Sequence, residues 1–128
     1  MEKANAADPG NTAYQQQLGA AYLSLGQFEK AVTFYSALAA KNPRDSQAAL
    51  GLGYSYLAIK QYDPAILQFR QAANLDTKSP AALYALGQAQ LQTARYADAQ
   101  HTYRELLSRF PDETRAKNAL EFATQKLK

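Results

Sequence analysis

The chain has no cysteine and no tryptophan, and only one histidine and one methionine in 128 residues. Without cysteine there is no disulfide framework, no thiolate zinc site and no cysteine nucleophile. No stretch approaches the ~20 consecutive apolar residues that a membrane-spanning helix needs, and the N-terminus lacks the apolar core of a signal peptide. Catalytic signatures are missing too: there is no glycine-rich phosphate loop, no H-E-x-x-H and no G-x-S-x-G. The lone His101 has no nucleophile or metal-ligand pattern around it. Asp45, Asp63, Asp98 and Asp112 stand in turns or at helix starts, where N-capping accounts for them. The sequence therefore predicts no enzyme, no cofactor and no metal. A net charge of +3 is too weak for a dedicated nucleic-acid binder. The least expected shortage is local: segments 12–25, 46–59 and 80–93 contain no Lys, Arg, Asp or Glu.

A regular repeat is present instead. Leu-Gly recurs at 18–19, 52–53 and 86–87, a constant spacing of 34 residues. Alanine recurs in the same register at Ala31, Ala65 and Ala99, and aromatics at Phe28, Tyr62 and Tyr96 and at Tyr35, Phe69 and Tyr103. A fixed period in this range is the signature of stacked repeats. The register defines repeats over 12–45, 46–79 and 80–113, with a tail over 114–128.

Each repeat reads as two helices. Leu18, Ala21, Tyr22 and Leu25 form one apolar stripe, which halts near Gly26-Gln27. A second amphipathic stretch runs from Phe28 to Lys41, and Asn42-Pro43 ends it because proline cannot continue the helix. Ser79-Pro80 and Asp63-Pro64 each read as an N-cap followed by proline at the first helical position. A glycine inside a helix costs ~1 kcal/mol relative to alanine. Two helices joined by a short turn must approach closely, so Gly19 is expected to face Ala31 on its partner helix, with the aromatics filling the space around them. Overpacking that seam costs ~1–3 kcal/mol, which outweighs the propensity penalty.

These residues resemble the tetratricopeptide repeat family. Leu18, Gly19, Tyr22, Ala31, Tyr35 and Pro43 carry its pattern in the first repeat. Leu52, Gly53, Tyr56, Ala65, Phe69 and Ala72 carry it in the second, and Leu83, Leu86, Gly87, Ala99, Tyr103 and Pro111 in the third. Departures are Gln15 and Ala49 at position 4, Gln90 at position 11, Leu38 and Leu106 at position 27 and Thr77 at position 32. The resemblance implies an all-α superhelix, or solenoid, of three helix–turn–helix repeats. The tail, with Leu120 in phase but Glu121 in place of glycine, reads as a polar capping helix.

In that family the first helices line a concave groove. The resemblance assigns to it Gln16, Leu23, Gln47, Leu50, Tyr54, Leu57, Tyr84, Gln88, Leu91 and Gln92. This surface is apolar, aromatic and amide-rich. A subclass grips chaperone C-termini with Lys, Arg and Asn, but the corresponding positions here are Gln16, Ala20, Gly51, Ala81 and Ala85, none of them a cation. Phosphate-backbone binding also needs groove cations. Arg109, Arg115, Lys117, Lys126 and Lys128 read as a solvated face mixed with Asp112, Glu113 and Glu121. Gly51 either leaves room for a ligand backbone or is simply tolerated. The groove tyrosines serve either ligand contact or packing between repeats.

The implied function is a protein–protein interaction scaffold that binds an uncharged or apolar peptide, or an amphipathic helix. The alternative is homo-oligomerisation, with the groove taking a segment of its own or a sister chain. Nucleic-acid binding and membrane insertion are not expected. Run backwards, the register places Ala4 and Pro9 at positions 27 and 32 of a preceding repeat. Residues 1–11 thus read either as the remnant of such a repeat in a longer array or as an N-terminal cap. On the first alternative a targeting signal could precede them, so the sequence does not define a compartment.

Overall fold

The computed structural model describes residues 12–128, with side chains from Tyr14 onward. Residues 1–11, on which the expectation of a preceding repeat rests, lie outside the described residues. Among the described residues seven helices follow one another: α1 (Thr12–Ser24), α2 (Phe28–Lys41), α3 (Ser46–Ala58), α4 (Tyr62–Leu75), α5 (Ala81–Gln92), α6 (Tyr96–Arg109) and α7 (Thr114–Lys126). No strand occurs among the described residues. Each helix packs on the next, and α1 also reaches α3. This neighbour-to-neighbour pattern is that of a solenoid.

The turn inside each repeat is the same device three times. Gly26, Lys60 and Ala94 adopt left-handed backbone, with φ of 77°, 64° and 59°. Their N–H groups donate to Leu23, Leu57 and Leu91 carbonyls at 3.2, 3.0 and 3.0 Å. The following N–H groups, of Gln27, Gln61 and Arg95, reach the Tyr22, Tyr56 and Gln90 carbonyls at 2.9, 2.9 and 2.8 Å. This paired arrangement satisfies the last carbonyls of the first helix and reverses the chain in two residues.

Between repeats, Asp45 caps α3: its Oδ1 accepts from the Gln47 and Ala48 N–H groups at 3.0 and 3.4 Å. Ser79 Oγ accepts from Ala81 N–H at 3.2 Å, and Pro80 already has helical backbone, as the Ser-Pro signature predicts. Asp63-Pro64 departs from that signature. The helix begins earlier, at Tyr62, so Asp63 lies inside its first turn and forms an ion pair with Arg95 instead of capping. Pro64 is still tolerated, because first-turn N–H groups have no partner within the helix.

The glycine seam also differs from expectation in its partner. A Cβ on Gly19 would come within 2.3 Å of the Tyr35 ring, one on Gly53 within 2.6 Å of Phe69, and one on Gly87 within 2.5 Å of Tyr103. Carbon atoms make contact at ~3.5–4.0 Å, so each glycine exists to seat an aromatic ring. Ala31, which the spacing suggested as the partner of Gly19, is itself fully buried, but the nearest atoms to a Gly19 Cβ are all from Tyr35. Gly51 is neither open nor merely tolerated. It is buried, and a Cβ there would lie 2.3 Å from the Tyr35 ring. Tyr35 thus needs glycine from its own repeat and from the next one. Gln90, the departure at position 11, is buried and accepts a 2.7 Å hydrogen bond at Oε1 from Thr102 Oγ1.

Candidate interaction groove

The face formed by α1, α3 and α5 carries the residues assigned to the groove. Gln47, Tyr54 and Gln92 are exposed, while Gln16, Leu23, Leu50, Leu57, Tyr84, Gln88 and Leu91 are partly buried. The two tyrosines stand edge-on upon the core rings that the glycines admit. Tyr54 meets Phe69 at 5.1 Å between centroids, and Tyr84 meets Tyr103 at 6.2 Å. Each is held by the core on one edge; Tyr54 is exposed beyond that contact, whereas Tyr84 is only partly so. Both of the roles weighed for these residues, packing and presentation, are therefore physically compatible.

The structure distributes the assigned residues unevenly. Tyr84, Gln88 and Leu91 share a concavity of about 360 Å³ with Arg115, Asn118, Ala119 and Phe122 of α7. Gln47 and Leu50 line a much narrower crevice between the second and third repeats, beside Ser79 and Ala81. Leu23 packs on a smaller core cluster shared by the first and second repeats, and Leu50, Leu57 and Leu91 on the main core.

Helix α7 adds residues to this face that the spacing argument left out. The Arg115 guanidinium lies 4.3 Å from the centre of the Tyr84 ring. It is exposed, as expected of a solvated face, and it also lies over an aromatic ring of the candidate groove. The signal was present in the tail's own phase. Leu120 at position 7 places Arg115, Asn118 and Phe122 at positions 2, 5 and 9, the register of Gln47, Leu50 and Tyr54 in the second repeat. The face is free of charge along the first helices and acquires a cation from the cap.

The local electrostatics agree with this placement. Burial raises the Tyr54 hydroxyl pKa, the nearby Arg115 charge pulls it down, and Tyr84 pushes it up. Tyr54, Tyr84 and Arg115 therefore form one neighbourhood spanning α3, α5 and α7. Elsewhere, charges pair across second helices and turns: Arg70 with Glu105 at 3.2 Å, Arg109 with Glu105 at 3.1 Å, and Arg95 with Asp63. His101 is exposed on α6. Among the described residues no three His, Cys, Asp or Glu side chains gather as a metal site, and no helix is long and apolar enough to cross a membrane.

Residues 24–106 match the family described as anaphase-promoting complex, cyclosome, subunit 3. The chain belongs to this family, which is of the tetratricopeptide repeat type. Comparison with curated proteins gives no match. Among solved structures, the chain is similar to the Yersinia enterocolitica type III secretion chaperone SycD in complex with a peptide of the translocator YopD. Identity is 25%, coverage is 91% of this chain and 94% of that one, and the TM-score is 0.82. MamA shares the fold at 24% identity, with 97% and 72% coverage and a TM-score of 0.83. The first repeat domain of Spaghetti (RPAP3), bound to an HSP90 peptide, does so at 20% identity, with 90% and 91% coverage and a TM-score of 0.81.

Proposed function

We propose that this chain is a protein-interaction scaffold that binds an extended peptide or a helix of a partner protein on the face lined by Leu50, Tyr54, Leu57, Tyr84, Gln88 and Leu91. The observation that carries the reading is Tyr54. It is a large aromatic, 41% exposed, yet pinned in orientation by its edge contact with Phe69. A rigid, half-covered tyrosine offers apolar contact area with little ordering entropy left to lose, which is the character of an interface anchor. Gln16, Gln47, Gln88 and Gln92 supply amides for a peptide backbone, and Leu23 extends the apolar lining. The peptide held by SycD, a relative that covers nearly the whole chain, supports the same use here. Neither catalysis nor nucleic-acid binding nor membrane insertion enters this reading.

A pull-down with the wild type, a Tyr54→Ala/Tyr84→Ala double variant and a second-helix control, Lys30→Ala, tests it. Each tyrosine truncation should cost ~2 kcal/mol or more of binding. Partners retained by the double variant and lost by the control would sink the groove as the binding face. The second reading, homo-oligomerisation, draws support from a crystal structure of SycD described as an alternative dimer, at 25% identity. Sizing across a concentration series separates the two: a monomer at high concentration excludes self-assembly.

A further inference from the structure

We infer that the α7 end of the groove is an anion subsite, built by Arg115 upon Tyr84, which selects partner segments carrying an aspartate or glutamate side chain beside an apolar residue. This rests on the groove reading above and specifies the chemistry of its occupant.

Arg70, Arg95 and Arg109 each meet a carboxylate of this chain, whereas Arg44, Arg104 and Arg115 form no ion pair with the described residues. Of these three, Arg115 is the one that lies over an aromatic ring. Arg115 makes no ion pair or side-chain hydrogen bond with the described residues, although Asp112 and Glu113 precede it closely and Glu121 follows on the same helix. Its guanidinium carbon lies over the Tyr84 ring, 4.3 Å from the centroid, and no carboxylate of this chain takes its donors. A guanidinium in this state has N–H donors to offer both oxygens of an incoming carboxylate. Removing it from water on binding is costly unless the ligand brings the opposite charge. Lys126, whose ammonium lies 5.4 Å from the Phe122 ring centre, adds positive potential at the same end.

The lining sets what must accompany the acid. Phe122 is 48% exposed, and with Leu91 it provides an apolar wall, while Gln88 and Asn118 provide amides. The concavity of about 360 Å³ suits one or two side chains. A single stacked guanidinium does not follow a phosphate backbone, which requires several cations in a row. The partner is therefore a protein segment in which an acidic residue lies within two positions of an aliphatic or aromatic one.

The test is selection of a displayed library of randomised octapeptides, joined to a carrier at both ends so that no terminal charge is free. The whole chain is used, as wild type, Arg115→Gln, Arg115→Lys and Tyr54→Ala/Tyr84→Ala. Arg115 is exposed, so its variants should melt with the wild type. Wild type should enrich Asp or Glu at one position about tenfold over Asn or Gln, given the strength of charge-assisted hydrogen bonds. Arg115→Gln should lose that preference while retaining apolar enrichment, and Arg115→Lys should keep part of it. Apolar enrichment on wild type without acidic preference overturns the subsite and leaves the groove reading intact. Identical selections on wild type and the double tyrosine variant overturn both. Tighter binding of a single-stranded dodecanucleotide than of the selected peptides, lost in Arg115→Gln, would reassign the subsite to nucleic acid.

Discussion

The first and third repeats share a register and differ in how they fill it. Positions 11 and 23 hold Tyr22 and Phe34 in the first repeat, an edge-on aromatic pair at 5.9 Å. In the third they hold Gln90 and Thr102, joined by a buried hydrogen bond of 2.7 Å. Of the α1 residues from Tyr14 onward only Gly19 is buried, whereas α5 buries seven residues. The same helix–turn–helix thus tolerates an apolar or a polar joint. What it does not vary is the glycine that receives the ring at position 24. In a solenoid the environment of a position depends on the repeat stacked against it, so identical motifs need not have identical energies.

Enlarging the glycines tests that difference most severely. Gly53→Leu should cost ~3 kcal/mol or more, because Phe69 is fully buried and has no room to retreat. Gly19→Leu should cost less, since α1 is the less buried helix and can shift outward. Urea unfolding of both variants measures the gap. Equal losses would mean that the repeats unfold as one rigid unit.

The polar joint comes next. Thr102→Val leaves the Gln90 amide oxygen buried without its donor and should destabilise by ~1–3 kcal/mol. Gln90→Leu/Thr102→Val, which removes both polar partners, should recover most of that loss. A double variant as unstable as the single one would show that Gln90 is held by packing rather than by this bond.

Tyr103 offers a smaller contrast with Phe69. Its hydroxyl is buried without a hydrogen-bond partner among the described residues, and burial raises its pKa well above the ordinary 10.0. Tyr103→Phe, which copies the second repeat, should stabilise by ~1 kcal/mol. The sign of the pH effect follows. Above pH 10 the unfolded chain releases the phenol proton and the folded chain keeps it, so stability falls as pH rises, by at most ~1.4 kcal/mol per pH unit from this group. Tyr103→Phe should flatten the alkaline slope. Part of the slope should remain, because the Tyr35 and Tyr54 phenols are shifted in the same direction.

Much of the fold was legible because its determinants are local and periodic. The spacing of apolar residues located α2 at Phe28–Lys41, where the structure has it. The glycine register revealed close packing but not its partner, because spacing along one helix does not say which side chain of the next enters the gap. Tyr35 rather than Ala31 fills it. Asp63 was misassigned because a capping signature ignores competition from a distant arginine, here Arg95. The register of the first helices gave the candidate groove residues, and the structure places their carriers on α1, α3 and α5. The contact of Arg115 with Tyr84 was not foreseen because the tail was read as a cap alone, although its phase continues that of the first helices.

The smallest expected effect concerns the three left-handed turn residues. An L-residue in this conformation is strained by ~1–2 kcal/mol, whereas glycine adopts it freely. Only the first repeat has glycine there, at Gly26; Lys60 and Ala94 adopt φ of 64° and 59° without that freedom. Ala94→Gly should relieve the strain but loosen the unfolded chain, which offsets part of the gain. The net result should be stabilisation of ~0.5 kcal/mol, with Gly26→Ala losing ~1 kcal/mol. Nothing within 4 Å would obstruct a Cβ at Gly26, so any loss there reports backbone strain rather than a clash. Thermal melts of the two variants give the comparison. If Gly26→Ala proves neutral, the turn is held by its two hydrogen bonds strongly enough that residue type is immaterial, and the first repeat's glycine has no energetic role.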